Sequence, residues 1–587
     1  MTRFSTTKSW FFAYLTAIVL SVHFLQGQDI SYPVSKVSFH YGFKAEGLPD
    51  FNELSKATVT LGEDGNTSEV ILDSLIRGAS PLLKLSDLDL YKLCEVPVQF
   101  LKQEGLEGVV SFPDPSMVDP VSGEDLRETG ISNLRILVWV SVLDDVAINL
   151  EGLRSLEKRR LEKAVETYLT QSSAVGKPVR KELFEEVDKL TAHRSRSSKV
   201  VLTASDKPGH VKAVVRTRRK KSPNFSFSTS NSGTPTTGEW MFSVVAQTDQ
   251  LSGLDDRAVL GASVSETAES YAIFGSYYIP LVHPEVLTLG TTIGYSSYDA
   301  STFGVTAMDF NGDNLFIDES LLWSPSFFNG DGWRLEMETG LKWENVKAFN
   351  SFFTNHADVA MLTPRVGLSL QTKGNYRVGN TKLSLRGNLL GIDHSTREAL
   401  GGVDVTDTYA RLAISHRETL LLGKWLGDSA SGKAGEYLSR HLLSLSLKAD
   451  FALSDERHLP QHQFITGGTG SVRGYPESPA AGDHGYQASL EYRLPFYLLT
   501  DGNGTKLPWI AGFFVDWANT RLNSPLAYES NQNLLGAGFG IYLTMPWGLY
   551  FHADFAKPLR EVKSAGIPLE GTKSSDYRIH ANMGWNF

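Results

Sequence analysis

From about Pro223 to Phe587 the chain alternates apolar and polar residues one by one. Tyr486, Ala488, Leu490, Tyr492, Leu494 and Phe496 interleave with Gln487, Ser489, Glu491, Arg493 and Pro495. Leu443, Leu445, Leu447, Ala449 and Phe451 interleave with Ser444, Ser446, Lys448 and Asp450, and Leu383 and Leu385 with Lys382, Ser384 and Arg386. A period of two gives a strand one apolar and one polar face, and no helix can use it. A soluble sheet and a membrane barrel both fit such a pattern. Soluble strands average about 5–6 residues, whereas a tilted strand that crosses a membrane needs about 9–11, and many of these runs reach the second length. The polar face is rich in charge, which suits a water-filled lumen. Aromatic residues gather toward strand ends (Phe496, Tyr497, Trp509, Trp517, Trp547, Tyr550), as an interfacial girdle requires. Open edges are not tolerated in lipid, so the sheet must close. The pattern therefore predicts a mainly β chain ending in a transmembrane antiparallel barrel over 221–587. The candidate strands number from sixteen to eighteen.

Charge and cysteine content exclude other classes. The 587 residues carry 56 Lys+Arg against 66 Asp+Glu, a formal net charge of -10, without the basic footprint of a nucleic-acid binder. A single cysteine, Cys94, rules out an internal disulfide framework and a cysteine-rich zinc site. It lies in an apolar helical stretch and reads as a small buried hydrophobe. At the N-terminus, Arg3 and Lys8 precede the apolar run Phe11 to Leu25 and then Gln26-Gly27-Gln28. That is the layout of a secretory signal over 1–27, with removal near Gly27. A membrane anchor is the other reading, but the run is short of the ~20 residues of a span.

Between signal and barrel the pattern is mixed α/β and divides at residues 28–143 and 144–220. In the first part Val34 to Tyr41 and Ser68 to Leu72 read as strands. Leu88, Leu90, Leu93, Val96, Phe100 and Leu101 keep helical spacing despite Pro97, and Leu134 to Val142 reads as an apolar strand. In the second part Leu153 to Thr170 and Val179 to Thr191 are amphipathic helices, followed by a strand pair at Val200 to Ala204 and His210 to Thr217. The basic run Arg216, Arg218, Arg219, Lys220, Lys221 reads as a solvated junction or a contact with anionic lipid head groups.

Within the barrel one stretch carries chemistry. Gly467-Gly468-Thr469-Gly470-Ser471-Val472-Arg473-Gly474-Tyr475-Pro476-Glu477 is too glycine-rich and too long for a tight turn, and it sets one cation beside one aromatic ring. Gly482-Asp483-His484-Gly485 and Ser489-Leu490-Glu491-Tyr492-Arg493-Leu494-Pro495 follow, with Glu491 and Arg493 on the inward face. Downstream, Phe514-Val515-Asp516-Trp517-Ala518 puts Asp516 on the inward face of its strand. A loop arginine facing a wall aspartate has the composition of a latch, because two desolvated charges are tolerated only when each finds the other.

These residues also carry a resemblance. Val472-Arg473-Gly474-Tyr475 resembles the signature loop of the POTRA-plus-barrel superfamily, which inserts or exports outer-membrane proteins. The Gly-Asp-x-Gly, Ser-x-Glu-x-Arg-x-Pro and Phe-x-Asp patterns resemble its hemolysin secretion/activation branch, the transporters of two-partner secretion. Ser230-Asn231-Ser232-Gly233, Thr237-Gly238, Gly253-Leu254-Asp255-Asp256 and Tyr277-Tyr278-Ile279-Pro280-Leu281 are similar to that branch as well. The terminal strand with Trp585 and Phe587 resembles the sorting signal of bacterial outer-membrane barrels.

The resemblance implies two periplasmic POTRA domains ahead of a sixteen-stranded barrel in the outer membrane of a Gram-negative-type bacterium. It also implies an Arg473 loop folded into the lumen and paired to Asp516. The implied partners are a secreted β-rich client polypeptide, outer-membrane lipid and the barrel-assembly machinery; no nucleic acid and no cofactor enter. Two departures stand out. The first strand starts too close to the signal to leave room for a plug helix, and the first POTRA-like domain carries extra loops at Pro49 to Thr67 and Pro113 to Thr129.

Enzyme readings find little support. No Gly-x-Ser-x-Gly, His-Glu-x-x-His or phosphate-cradling loop occurs. Asp309 to Ser320 mimics a calcium loop through Asp309, Asn311 and Asp313, but Asn314 and Ser320 occupy the glycine and glutamate positions, so a turn is expected there. The expected activity is export of an unfolded client. The alternatives are a barrel-assembly factor and a passive porin-like channel.

Overall fold

The computed structural model describes residues 31–587 except 43–44, 63–67, 80, 192, 221, 283–285, 301–309, 331, 352–354, 426–437, 439, 501–505, 527–528 and 565. Residues 1–27, expected as a secretory signal, lie outside the described residues. Two compact units divide between Lys220 and Lys221.

The first unit contains two α/β layers. In one, Lys36–Tyr41 pairs in parallel with Asn133–Val140, which pairs antiparallel with Val109–Pro113. The helix Asp87–Gln103 covers this sheet and continues through Pro97. It starts on a capping box: Ser86 Oγ accepts the Asp89 backbone N–H while the Asp89 carboxylate accepts the Ser86 N–H. Leu90, Leu93 and Cys94 of the helix pack on Val37, Leu134 and Ile136 of the sheet. Burial pushes the Cys94 thiol up to about 12, so it stays a protonated, inert core group. In the other layer Val142–Glu151 pairs in parallel with His210–Arg219, which pairs antiparallel with Arg196–Ala204. Helices Ser155–Ser172 and Lys181–Thr191 accompany this sheet, with Leu183 and Val187 packed on Leu143, Ala213 and Val215. The basic run closes the strand His210–Arg219 with Arg216 and Arg218 exposed.

The second unit is a closed antiparallel barrel of sixteen long strands, from Asn224–Ser230 to Arg578–Asn586, with the two-residue strand Asn329–Gly330 added at one hairpin. Strand lengths run from 7 residues at the first strand to 19 at Asn355–Lys373. The alternation sorts the two faces. Tyr486, Leu490, Phe513, Val515, Ile579 and Met583 point outward, 42–54% exposed, while Gln487, Glu491, Asp516 and His580 point inward and are buried. The chain segment expected as a turn at Asp309 to Ser320 is instead mostly strand, Phe310–Trp323. Asp318 points into the lumen and accepts from Arg365, whereas Asp313, which accepts from Tyr295, and Glu319 share the outward parity of Leu315 and Ile317. Alternation outweighs the calcium-loop spacing here, because a strand with one apolar face gains burial in lipid that a solvated turn does not.

Candidate functional site

The connection between Leu442–Ala452 and His484–Thr500 is a long loop at the barrel end opposite the start of the first strand. It folds back into the lumen: Leu459 packs with Val346, Ala348 and Met361, and the part around Arg473 lies on the wall formed by the last five strands. Val472 is fully buried with Tyr475, Ala480, Ala518, Leu534 and Val562. The Tyr475 hydroxyl donates toward Arg560 O at 2.6 Å and Leu535 O at 3.0 Å, and accepts the Leu535 N–H. Gly474 has φ +96°, and a Cβ there would meet the Lys557 backbone at 2.8 Å, so only glycine brings the loop this close. The facing strand Gln532–Thr544 gives way in kind: a Cβ on Gly536 would sit 2.0 Å from Arg473 O.

Arg473 is thereby set among acidic residues from three strands. Its Nε and Nη2 donate to Asp516 Oδ2 and Oδ1 at 2.7 and 3.0 Å, a bidentate fork, and its backbone N–H adds a third bond to Oδ2 at 3.1 Å. Nη1 reaches Glu491 at 3.2 Å and Asp554 at 3.4 Å. The guanidinium stacks 3.3 Å over the Phe514 ring. Asp516 is fully buried and also accepts from Ser489 Oγ at 2.6 Å. Glu491 accepts from Arg493 Nε and Tyr542 OH, both at 2.6 Å. The latch is thus not one pair but one guanidinium serving three carboxylates, with Arg493 as a second cation.

The other sequence-flagged residues divide. Gly467 and Gly468 have φ +103° and +93°, and would clash with Pro479 and Glu477 if they carried a Cβ. Gly482 and Gly485 face Arg521 and the Phe464 ring in the same way, while Gly470 faces open space. Asp483 does not join Arg473. It is buried in a second anchor, accepting from His458 N–H at 2.9 Å, Gln463 Nε2 at 3.2 Å and Asn523 N–H at 2.8 Å. Trp585 donates Nε1–H to Trp547 O at 2.9 Å, and Phe587 stacks on Phe225 and Phe227, where the barrel closes. Sequence reasoning missed Asp554, Tyr542 and His580. Each is a polar residue at an inward position of an alternating strand, and that parity is the signal that marks them.

Across the lumen the wall is charged and open. A cavity of about 630 Å³ is lined by Asp318, Lys342, Glu344, Arg365, Arg386 and Tyr409 among others. The ion pairs Arg365–Asp318 (2.5 Å), Arg365–Glu338 (2.7 Å) and Arg386–Asp450 (3.4 Å) line this side. Among the described residues no group of three or more His, Cys, Asp or Glu could hold a metal ion.

With this loop and wall in view, the comparisons fall into place. Residues 429–587 match the Omp85 superfamily domain, and residues 209–349 match the family Haemolysin secretion/activation protein ShlB/FhaC/HecB. Each match covers about a quarter of the chain, and over those stretches the chain resembles the Omp85 superfamily and this haemolysin branch. Among solved structures it is similar to CdiB from Escherichia coli, with a TM-score of 0.57, 13% identity and 100% of both chains covered. CdiB from Acinetobacter baumannii aligns with a TM-score of 0.54 and 14% identity over 96% of this chain and 92% of that one. BamA from Haemophilus ducreyi lacking POTRA domains 1–3 aligns with a TM-score of 0.56 and 12% identity over 95% of this chain and 100% of that one. At these identities the structures speak to the fold. No curated protein matches the sequence.

Proposed function

We propose that the chain is the transporter of a two-partner secretion pair. In this reading the α/β unit comprises two POTRA domains, 28–143 and 144–220, in the periplasm. The edge strand Arg196–Ala204 offers its outer side to an extended client, which adds as a strand. The client then threads the lumen along the charged wall and folds outside, and β-rich clients suit a route that keeps strands apart until exit. The haemolysin-branch match over 209–349 supports export over insertion.

The observation that carries the reading is the Arg473 loop, seated in the lumen on Asp516, Glu491 and Asp554. A passive pore needs no buried ionic grip to hold a loop across its own lumen. In the transporter the grip holds the Arg473 part of the loop against one wall. Arg473→Ala should leave a folded, membrane-inserted barrel that exports poorly, read as secreted client per folded transporter. Export at the wild-type level in that variant removes the role assigned to the loop. The similarity to BamA supports a second reading, a barrel-assembly factor. Depletion of the protein then lowers the amounts of many outer-membrane barrels instead of one secreted protein.

A further inference from the structure

The barrel closes where its first strand, Asn224–Ser230, meets its last, Arg578–Asn586. Among the described residues this ladder pairs five positions, Ser226↔Asn586 to Ser230↔Asn582, fewer than the neighbouring ladders with seven and eight. Phe225 and Phe587 exchange backbone bonds at its lower end, at 2.9 and 3.0 Å. Thr229 Oγ1 and Asn582 Oδ1 are buried along it without a hydrogen-bond partner. Beyond Ser230 the Asn231 N–H still donates to Ala581 O at 3.2 Å, and the Asn231 side chain then takes over. Asn231 Oδ1 accepts the Ala581 N–H and Asn231 Nδ2 donates to Ile579 O, both at 2.7 Å. Arg578 then pairs with Glu239 at 2.8 Å.

The Arg473 loop reaches the same stretch from the lumen side through His580. His580 lies between the two backbone groups held by Asn231 and points inward, 1% exposed. Its Nε2 accepts the Gly474 N–H at 3.0 Å, which leaves Nδ1 to carry the proton and donate to Thr469 Oγ1 at 3.1 Å. Thr469 is fixed in turn, its N–H and hydroxyl both donating to Glu477 Oε1 at 2.7 Å. Gly474 follows Arg473 directly, so the residue that touches the last strand moves with the residue held by Asp516.

We propose that His580 couples the loop to the seam: the seated Arg473 loop holds the first and last strands together through His580, and release of the loop loosens that closure. His580 is a positioning residue. Its bonds to Gly474 and Thr469 fix the stretch Ile579 to Ala581 in the place where Asn231 clasps it. This inference rests on the loop and seam geometry and does not depend on what the barrel carries.

The test is hydrogen exchange on the full chain in lipid nanodiscs. His580→Ala should speed exchange of the seam amides, residues 226–230 and 582–586, by about fivefold, the shift that loss of one ordinary hydrogen bond produces. The long ladder between Trp333–Asn350 and Asn355–Lys373 should keep its wild-type rate. His580→Gln, which keeps an acceptor and a donor, should restore slow exchange. Asn231→Ala should open the same amides without touching the loop, and Arg473→Ala should do so from the loop side with His580 intact. Wild-type seam exchange in His580→Ala overturns the proposal. So does acceleration spread evenly over the barrel, or seam exchange that ignores Arg473→Ala. Should His580→Ala not insert, Arg473→Ala carries the same test.

Discussion

The molecule buries several arginines, and two of them, one from each unit, are held differently. In the α/β unit Arg196 meets Glu157 at 3.1 Å with both side chains fully buried, and Arg196 Nε also donates to Thr191 O at 2.6 Å. That contact joins the helix Ser155–Ser172 to the strand Arg196–Ala204. In the barrel Arg473 joins a loop to a wall and faces three carboxylates; Arg493 also pairs with Glu491, and His552 Nε2 lies 2.9 Å from Asp554. The first arrangement ties a helix to a strand within a core whose parts stay together. The second leaves the wall short of positive charge whenever the loop departs. Such a surface is tolerable only if the loop sits on it or water reaches it. The barrel arginine is therefore suited to a contact that is made and unmade, and the other to one that is made once.

Removing Arg473 should have the largest effect. Three buried carboxylates then lose their shared cation, a cost of about 3–5 kcal/mol by analogy with other broken buried pairs. Because the barrel ladders remain, the loss should appear as an unseated loop, read by protease cleavage near Gly470, and not as an unfolded barrel. Arg473→Lys should restore little, since a point charge cannot make the fork on Asp516. The exchange Arg473→Asp with Asp516→Arg should also fail to restore export, because the new aspartate faces Glu491 and Asp554.

Glu157→Ala should cost a similar ~3–5 kcal/mol, but expressed as unfolding. Urea denaturation of residues 31–220 followed by circular dichroism reads this directly, and a loss of export at unchanged stability would break the contrast drawn above. Gly536→Val comes next. The new side chain occupies the place of Arg473 O, so the loop should unseat while the barrel still resists heat in detergent.

Tyr475→Phe removes a hydroxyl bonded to two backbone carbonyls and should weaken loop seating by about 1–3 kcal/mol, the cost of stranding buried polar groups. Smallest is the helix cap: Ser86→Ala should cost the α/β unit about 1 kcal/mol. The same cap carries a pH signature. Burial opposes ionisation of Asp89, but the N–H groups of Gly62 and Ser86, the Ser86 hydroxyl and Lys92 outweigh it and hold the carboxyl below its ordinary value. A depressed folded value means stability that is present above the unfolded carboxylate range and lost as pH falls through the folded value. Acid titration of the α/β unit should lose that part of its stability, and Asp89→Asn should flatten that part of the curve.

The two regions also differ in how far the sequence exposes them. The barrel is legible because lipid outside and water inside impose a strict period of two, and the outward Tyr486, Leu490, Ile579 and Met583 follow it. The loop chemistry is legible at Arg473 and Asp516 because a charge among glycines and a charge on an aromatic strand each stand out. Asp554 and His580 come to Arg473 only through barrel closure, from strands about 80 to 110 residues along the chain. Local pattern carries no record of that closure. Asp483 misleads for the converse reason: it is close to Arg473 in sequence, but the loop turns between them and delivers it to His458 and Asn523. Glu157, on an amphipathic helix, and Arg196, at the start of a strand, are hidden among many charged residues, and nothing in their spacing separates a buried pair from a solvated one.

The most direct measurement is photo-crosslinking from the strand pair around Val200 to Val215, with the probe on an exposed position such as Arg216, in cells that express the full chain. The account predicts one dominant adduct, to a single secreted, β-rich protein, lost when that strand pair is altered. Adducts to many nascent outer-membrane barrels, or none to any secreted protein, would contradict it.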